Sequence, residues 1–131
     1  MTRFPRAIMV LAASGLVAIG SGCEGGKPAV DSSTEEATVK GVVTFKGKAV
    51  TKGEIAFDPS NYQRKMAAAS RAPIGADGRY SIKTLVGENK VSFAIPETAR
   101  DPKLQDLMLP RVIKSGENTL DFELPPPPSN P

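Results

Sequence analysis

The chain lacks most of the side chains on which enzyme chemistry depends. Its 131 residues include no histidine, no tryptophan and a single cysteine, Cys23. Without histidine there is no imidazole to transfer protons near neutral pH, to activate a nucleophile or to bind a metal. One cysteine forms neither an intramolecular disulfide nor a cysteine-based zinc site. The sequence therefore predicts a protein that is not an enzyme, needs no cofactor or metal, and depends on an apolar core for its stability.

The chain also has little excess of positive over negative charge. Seventeen basic side chains face fourteen acidic ones, a formal net charge of +3, and two of the basic residues, Arg3 and Arg6, precede an apolar run from Ala7 to Gly20. No cluster of lysines and arginines alternates with aromatic residues, as a groove that follows phosphates would require. We therefore expect no nucleic-acid partner.

The start of the chain has the form of an export signal. A basic beginning, a short apolar run and small residues predict a signal peptide over residues 1–22, because the run is shorter than the roughly 20 residues that span a membrane. The end of this segment, with Ser21 and Gly22 before Cys23, resembles the lipobox of bacterial lipoproteins, although Gly20 stands where that family usually has leucine. The resemblance implies that Cys23 becomes the first mature residue, with diacylglycerol on its sulfur and a fatty acyl group such as palmitate on its amino group. There are two alternatives. Cys23 could keep an unmodified thiol beside an ordinary signal-peptide cleavage site, or the apolar run could be retained as an uncleaved membrane anchor.

Three further segments differ in composition. Residues 23–37 are rich in glycine, serine, threonine and acidic residues, which predicts a flexible tether that carries the lipid at Cys23. Residues 38–124 alternate between apolar and polar side chains, which predicts short half-buried strands. Residues 125–131 form a proline-rich tail that we expect to be disordered or a stiff spacer.

The alternation within 38–124 predicts an all-β domain. Asp77-Gly78 is a strong hairpin signal, Pro73 places a weakly alternating segment from Met66 to Ile74 at a sheet edge, and Asp101-Pro102 predicts the start of one or two helical turns. The residues expected to face inward are Val39, Gly41, Val43, Phe45, Ile55, Phe57, Tyr80, Ile82, Val91, Phe93, Ile95, Leu120, Phe122 and Leu124.

The order of these motifs resembles that of carboxypeptidase regulatory-like domains. The resemblance lies in the segments 39–50, 53–57 and 75–82, and more weakly in 86–93, where the proline and tyrosine of the family pattern are absent. It implies an antiparallel seven-stranded β-sandwich of the transthyretin (prealbumin) type. The related enzymes that hydrolyse 5-hydroxyisourate depend on histidines and on a C-terminal motif that this chain lacks, so that activity is not expected.

One loop is the best candidate for a ligand contact. Residues 60–65 place Tyr62 and Arg64 among amide side chains, a combination suited to carbohydrate or protein partners. The alternative is an ordinary polar loop. Three other candidate sites are weaker. A calcium loop at Asp77 lacks the spaced oxygen ligands, and a glycosidase-type carboxylate pair at Asp121 and Glu123 shows no sign of burial. An isopeptide bond between Lys40 and Asn118 would need both side chains to face inward.

These observations predict an exported, non-catalytic protein of the cell envelope. Its lipid at Cys23 would attach it to a membrane, and its small β-sandwich would serve as a structural or interaction module. The alternative is a surface-anchored module that binds carbohydrate or protein through the 60–65 loop.

Overall fold

The computed structural model describes residues 31–128, which form a sandwich of two β-sheets. The predicted signal peptide, Cys23 and the end of the proline-rich tail lie outside these residues. The elements in chain order are β1 (Glu36–Phe45), β2 (Lys48–Ala49), β3 (Glu54–Asp58), β4 (Ser70–Pro73), β5 (Arg79–Leu85), β6 (Gly87–Ala94), α1 (Pro96–Ala99), β7 (Leu109–Ile113), β8 (Glu117–Thr119) and β9 (Phe122–Leu124). The all-β architecture expected from the alternation is confirmed.

Strand β1 is the centre of the first sheet. It pairs antiparallel with β5 and β2 along one side, and parallel with β8 and β9 along the other. The second sheet has the strand order β4-β3-β6-β7, and all its pairs are antiparallel. The two parallel pairings depart from the purely antiparallel sheet that the sequence predicted.

The core is a cluster of aromatic rings between the sheets. Phe57 and Phe93 come from the second sheet, and Tyr80 and Phe122 come from the first. The Phe122 ring lies at the centre, with centroids 5.2 Å from Phe93, 6.2 Å from Tyr80 and 6.3 Å from Phe57. These edge and tilted contacts add to the burial of apolar area. The rings therefore join the two sheets.

The last strand approaches β1 closely because β1 has a glycine there. A β-carbon built on Gly41 would collide with the backbone carbonyl of Leu120. At this point β8 gives way to β9, and the Asp121 carboxylate accepts a hydrogen bond from the Val42 amide at 2.9 Å. The Tyr80 hydroxyl donates to the Leu120 carbonyl at 2.6 Å. Two side chains thus make the hydrogen bonds that a continuous strand would have made with its backbone.

Several details of the sequence prediction are wrong. The described residues contain nine strand segments rather than seven strands, because the last edge is divided and β2 has only two residues. Met66 is 95% exposed instead of lying in an edge strand, since β4 begins only at Ser70. The short helix α1, which begins at Pro96, was not predicted. The turn predicted at Asp101 is present, because the Asp101 carboxylate accepts from the Lys103 amide and its carbonyl accepts from the amides of Leu104 and Gln105.

The tether boundary at residue 38 is also placed too late. Strand β1 begins at Glu36, and residues 31–35 are already bonded to the domain. We call the end of the sandwich where the chain enters the entry end. It comprises residues 31–35, the β3–β4 loop 59–69, the β5–β6 turn at Val86 and the β7–β8 turn 114–116. The opposite end, with the β1–β2 turn and the β4–β5 turn, is the far end.

Candidate binding site

The 60–65 loop lies at the entry end and folds through local side-chain caps. The Asp58 carboxylate accepts from the Ser60 amide at 2.8 Å, which turns the chain as it leaves β3. The Asn61 side-chain oxygen then accepts from the amides of Gln63 and Arg64, at 2.8 and 3.0 Å. Aspartate and asparagine favour such turns because their short side chains reach the backbone two residues ahead. Residues 58–64 therefore form two successive turns rather than an unstructured loop.

Arg64 is not an exposed contact residue, contrary to the sequence interpretation. It is only 6% exposed, and its guanidinium lies beneath the loop. It donates to four backbone carbonyls: Pro59 at 3.1 Å, Ser33 at 3.0 Å, Val86 at 2.8 Å and Glu88 at 3.3 Å. A guanidinium has five N–H donors in one plane, so it serves several acceptors at once. We call this arrangement the Arg64 clamp.

The clamp links the two sheets at this end, which strand pairing does not connect to each other. Its acceptors belong to the entering chain, the β3–β4 loop and the β5–β6 turn. Carbonyl dipoles also offset part of the cost of burying the charge. The ion pairs among residues 31–128 are Lys40–Glu117 and Arg79–Asp77, both exposed, so Arg64 is held by backbone oxygens and not by a carboxylate.

A buried amide completes the entry end. Asn89 is fully buried, accepts from the Thr84 hydroxyl at 2.7 Å, and donates to the carbonyls of Leu85 and Gly87 at 2.9 and 3.0 Å. Gly87 has a φ of 103°, and a β-carbon there would strike the Asp31 carboxylate, which accepts from the Glu88 amide. The sequence analysis missed both Asn89 and Thr84, although each is in phase with the inward-facing residues of its strand, because it assigned only apolar residues to the core.

Above these buried polar side chains, the β3–β4 loop displays two large apolar side chains to solvent. Tyr62 is 67% exposed and Met66 is 95% exposed. They line an open groove of about 520 Å³ between the loop and the entering chain, together with Ser32, Thr34 and the half-buried Leu85. Of the two predicted contact residues, the structure thus presents Tyr62 at the surface and places Arg64 below it. A carbohydrate or protein contact at Tyr62 stays a prediction.

A second groove of about 750 Å³ crosses the outer face of the first sheet near Tyr80. Its walls include Lys40, Val42, Arg79 and Asp121. Burial raises the pKa of Tyr80 well above its ordinary value of 10.0, and the charge of Asp121 adds to the shift. The phenol therefore stays protonated beyond pH 10 as well as at neutral pH, and it acts as a hydrogen-bond donor to the backbone.

The weaker candidates Asp77, Lys40 and Asn118 have structural roles in the described residues. The Asp77 carboxylate accepts from the Arg79 amide at 3.1 Å, as expected for a turn. Lys40 pairs with Glu117 at 3.1 Å on the surface, while Asn118 bonds to the backbone of Lys114. Between residues 31 and 128 no three acidic, histidine or cysteine side chains come together as metal ligands would.

One comparison with a solved structure supports the fold, and two others have lower scores. The chain is similar to a DUF3823 family protein from Parabacteroides merdae, with a TM-score of 0.50 and 17% identity over 68% of this chain and 45% of that one. It is also similar to a DUF3823 family protein from Bacteroides ovatus, with a TM-score of 0.49 and 20% identity over 70% and 44% of the two chains. The dioxygenase domain of a dioxygenase carbohydrate-binding protein fusion from Streptomyces sp. SirexAA-E has a TM-score of 0.45 and 20% identity, over 76% and 85%.

These likenesses concern the fold alone. The identities are low, the chain spans less than half the length of the two DUF3823 proteins, and TM-scores below 0.5 support no argument about function. No family model matches the chain, and no curated protein matches it. Among the described residues, no helix has the length and hydropathy that a membrane crossing requires.

Proposed function

We propose that this protein is an exported lipoprotein of the cell envelope, attached to a membrane through acyl groups on Cys23. The observation that carries the proposal is the position of Cys23. It is the chain's single cysteine, it stands directly after a short apolar run with a basic start, and it precedes the first strand, which begins at Glu36. Two or more acyl chains hold a protein on a bilayer without any spanning helix.

The sandwich itself acts in this proposal as a non-catalytic structural or interaction module. Three of the buried polar side chains are engaged by the fold. Arg64 and Asn89 bind backbone carbonyls at the entry end, and Tyr80 binds the Leu120 carbonyl where the last strand is interrupted. The order of turns and strands also supports the proposed likeness to carboxypeptidase regulatory-like domains.

The attachment is tested by replacing the sulfur. We expect the full chain, expressed in a bacterium that processes lipoproteins, to sediment with membranes and to have an intact mass that begins at Cys23 plus acyl groups. Cys23→Ser should move the protein to the soluble fraction, because serine offers no thiol to modify.

A matched control is Ser21→Ala, which keeps a small residue before the cysteine and should keep the protein on the membrane. Membrane sedimentation of Cys23→Ser, or an unmodified mass for the wild-type chain, would contradict the proposal.

A further inference from the structure

We propose that the entry end of the sandwich rests on the lipid surface, with Tyr62 and Met66 inserted at the membrane interface. The inference depends on the proposed attachment through Cys23 and adds a second contact to it. The attachment alone would leave the domain free to tumble at the end of its linker. The second contact would give the domain a fixed orientation on the membrane.

The first argument is the reach of the chain. Between Cys23 and Asp31 a fully extended backbone reaches at most about 29 Å. Strand β1, with ten residues, is itself about 33 Å long. Asp31 is held at the entry end through its backbone carbonyl, which accepts from the Asn61 side chain at 2.8 Å. The linker is therefore shorter than the domain, and the entry end is the part that it holds nearest to the bilayer.

The second argument is the chemistry of the exposed side chains at that end. Met66 is the most exposed of the large apolar residues, and Tyr62 is next to it in the same groove. A tyrosine ring with a polar hydroxyl suits the headgroup level of a bilayer, where aromatic residues concentrate. Lys65 lies between them in sequence and is exposed, so that its charge is available to anionic headgroups.

The Arg64 clamp makes the surface rigid. It fixes the loop against the entering chain and the β5–β6 turn, so that Tyr62 and Met66 project from a preformed support. Little conformational entropy is then lost on contact.

The absence of tryptophan from the chain allows a direct test. We would introduce a single tryptophan as Met66→Trp in the full lipidated protein and reconstitute it in vesicles of phosphatidylethanolamine and phosphatidylglycerol. We expect the tryptophan emission to be blue-shifted relative to that of the double variant Cys23→Ser, Met66→Trp. That variant carries no lipid and is measured in solution without detergent. We also expect quenching by lipids brominated near the headgroup end of the acyl chain.

Met108→Trp is the matched control. Met108 is also an exposed methionine, at 61%, but it precedes β7 on the flank of the second sheet. Its tryptophan should keep the emission of a water-exposed side chain and resist quenching. Any general attraction of tryptophan to lipid would affect both variants equally.

The outcomes separate this inference from the proposal on which it depends. If Cys23→Ser does not release the protein, the lipid attachment fails, and fractionation shows this before any fluorescence is measured. If attachment depends on Cys23 but Met66→Trp shows neither shift nor quenching, only the membrane-facing loop is overturned. Equal quenching at the two positions also overturns it, as does a shift that requires added cell-wall glycan instead of lipid.

Discussion

The centre of the sandwich and its entry end are held together by opposite kinds of interaction. At the centre, four aromatic rings from both sheets pack in a dry cluster around Phe122. At the entry end, the buried polar side chains are Arg64, Asn89 and Thr84, and each bonds to a polar group of the surrounding turns. Strand ladders satisfy the backbone at the centre, whereas turns leave carbonyls that only polar side chains can reach. Stability at the two places therefore has different physical origins.

The largest effect is expected at the centre. Phe122→Ala should lower the free energy of unfolding by about 3–5 kcal/mol, because it removes the ring that touches three others and leaves a cavity between the sheets. Chemical denaturation, followed by far-ultraviolet circular dichroism, measures the loss. Phe122→Leu, which fills most of the space, should cost clearly less. Equal costs for the two variants would show that the ring cluster does not have the central role described.

A smaller and more local effect is expected at the clamp. Arg64→Met keeps much of the side-chain volume but removes every donor, and unsatisfied buried acceptors cost about 1–3 kcal/mol. Hydrogen exchange should show where the cost falls. The Val86 and Glu88 amides, which bond to the entering chain, should lose protection while amides in β3 and β6 keep theirs.

Lys65→Met is the control for this variant, since it removes a neighbouring charge that is exposed. It should leave both stability and protection unchanged. If Arg64→Met destabilised the whole domain evenly, the distinction between the two regions would be wrong.

The smallest effect is a loss of stability in alkali. The pKa of Tyr80 is raised in the folded state, so its neutral form is favoured there, while in the unfolded chain it ionises near the ordinary value of 10.0. Its contribution is therefore complete below pH 10 and declines as the pH rises above that value. Denaturation at a series of alkaline pH values measures the decline.

Tyr80→Phe should be less stable at neutral pH and should show a weaker decline. Tyr62→Phe, at the exposed position, should leave the Tyr80 transition in place. A wild-type stability that does not change in this alkaline range would contradict the assignment.

The sequence predicts the centre well and the entry end poorly, for one physical reason. Alternation records which side chains face the core, and it correctly assigned Phe57, Phe93 and Phe122. It carries no information about where unpaired carbonyls gather in space. Arg64 was therefore read as a surface residue, although the turns formed by Asp58 and Asn61 could have indicated that the loop is ordered.

The divided last edge was hidden for a related reason. In sequence, the alternation of Leu120, Phe122 and Leu124 is that of one strand. In the structure, the close approach of the Leu120 carbonyl to Gly41 marks the break between β8 and β9. Close approach of two backbones depends on residues far apart in the chain, so no local pattern reports it. The exposure of Met66 has the same origin, because pairing with β3 begins only at Ser70.

The central position of β1 has a consequence for the order in which the molecule can assemble. Its partners on one side come from the last strands, and the bond between Val42 and Asp121 spans 79 residues. The first sheet therefore stays incomplete until Leu124, at the end of β9, has been synthesised. A ribosome or a translocation channel that still holds the final strand keeps one flank of β1 without its neighbour.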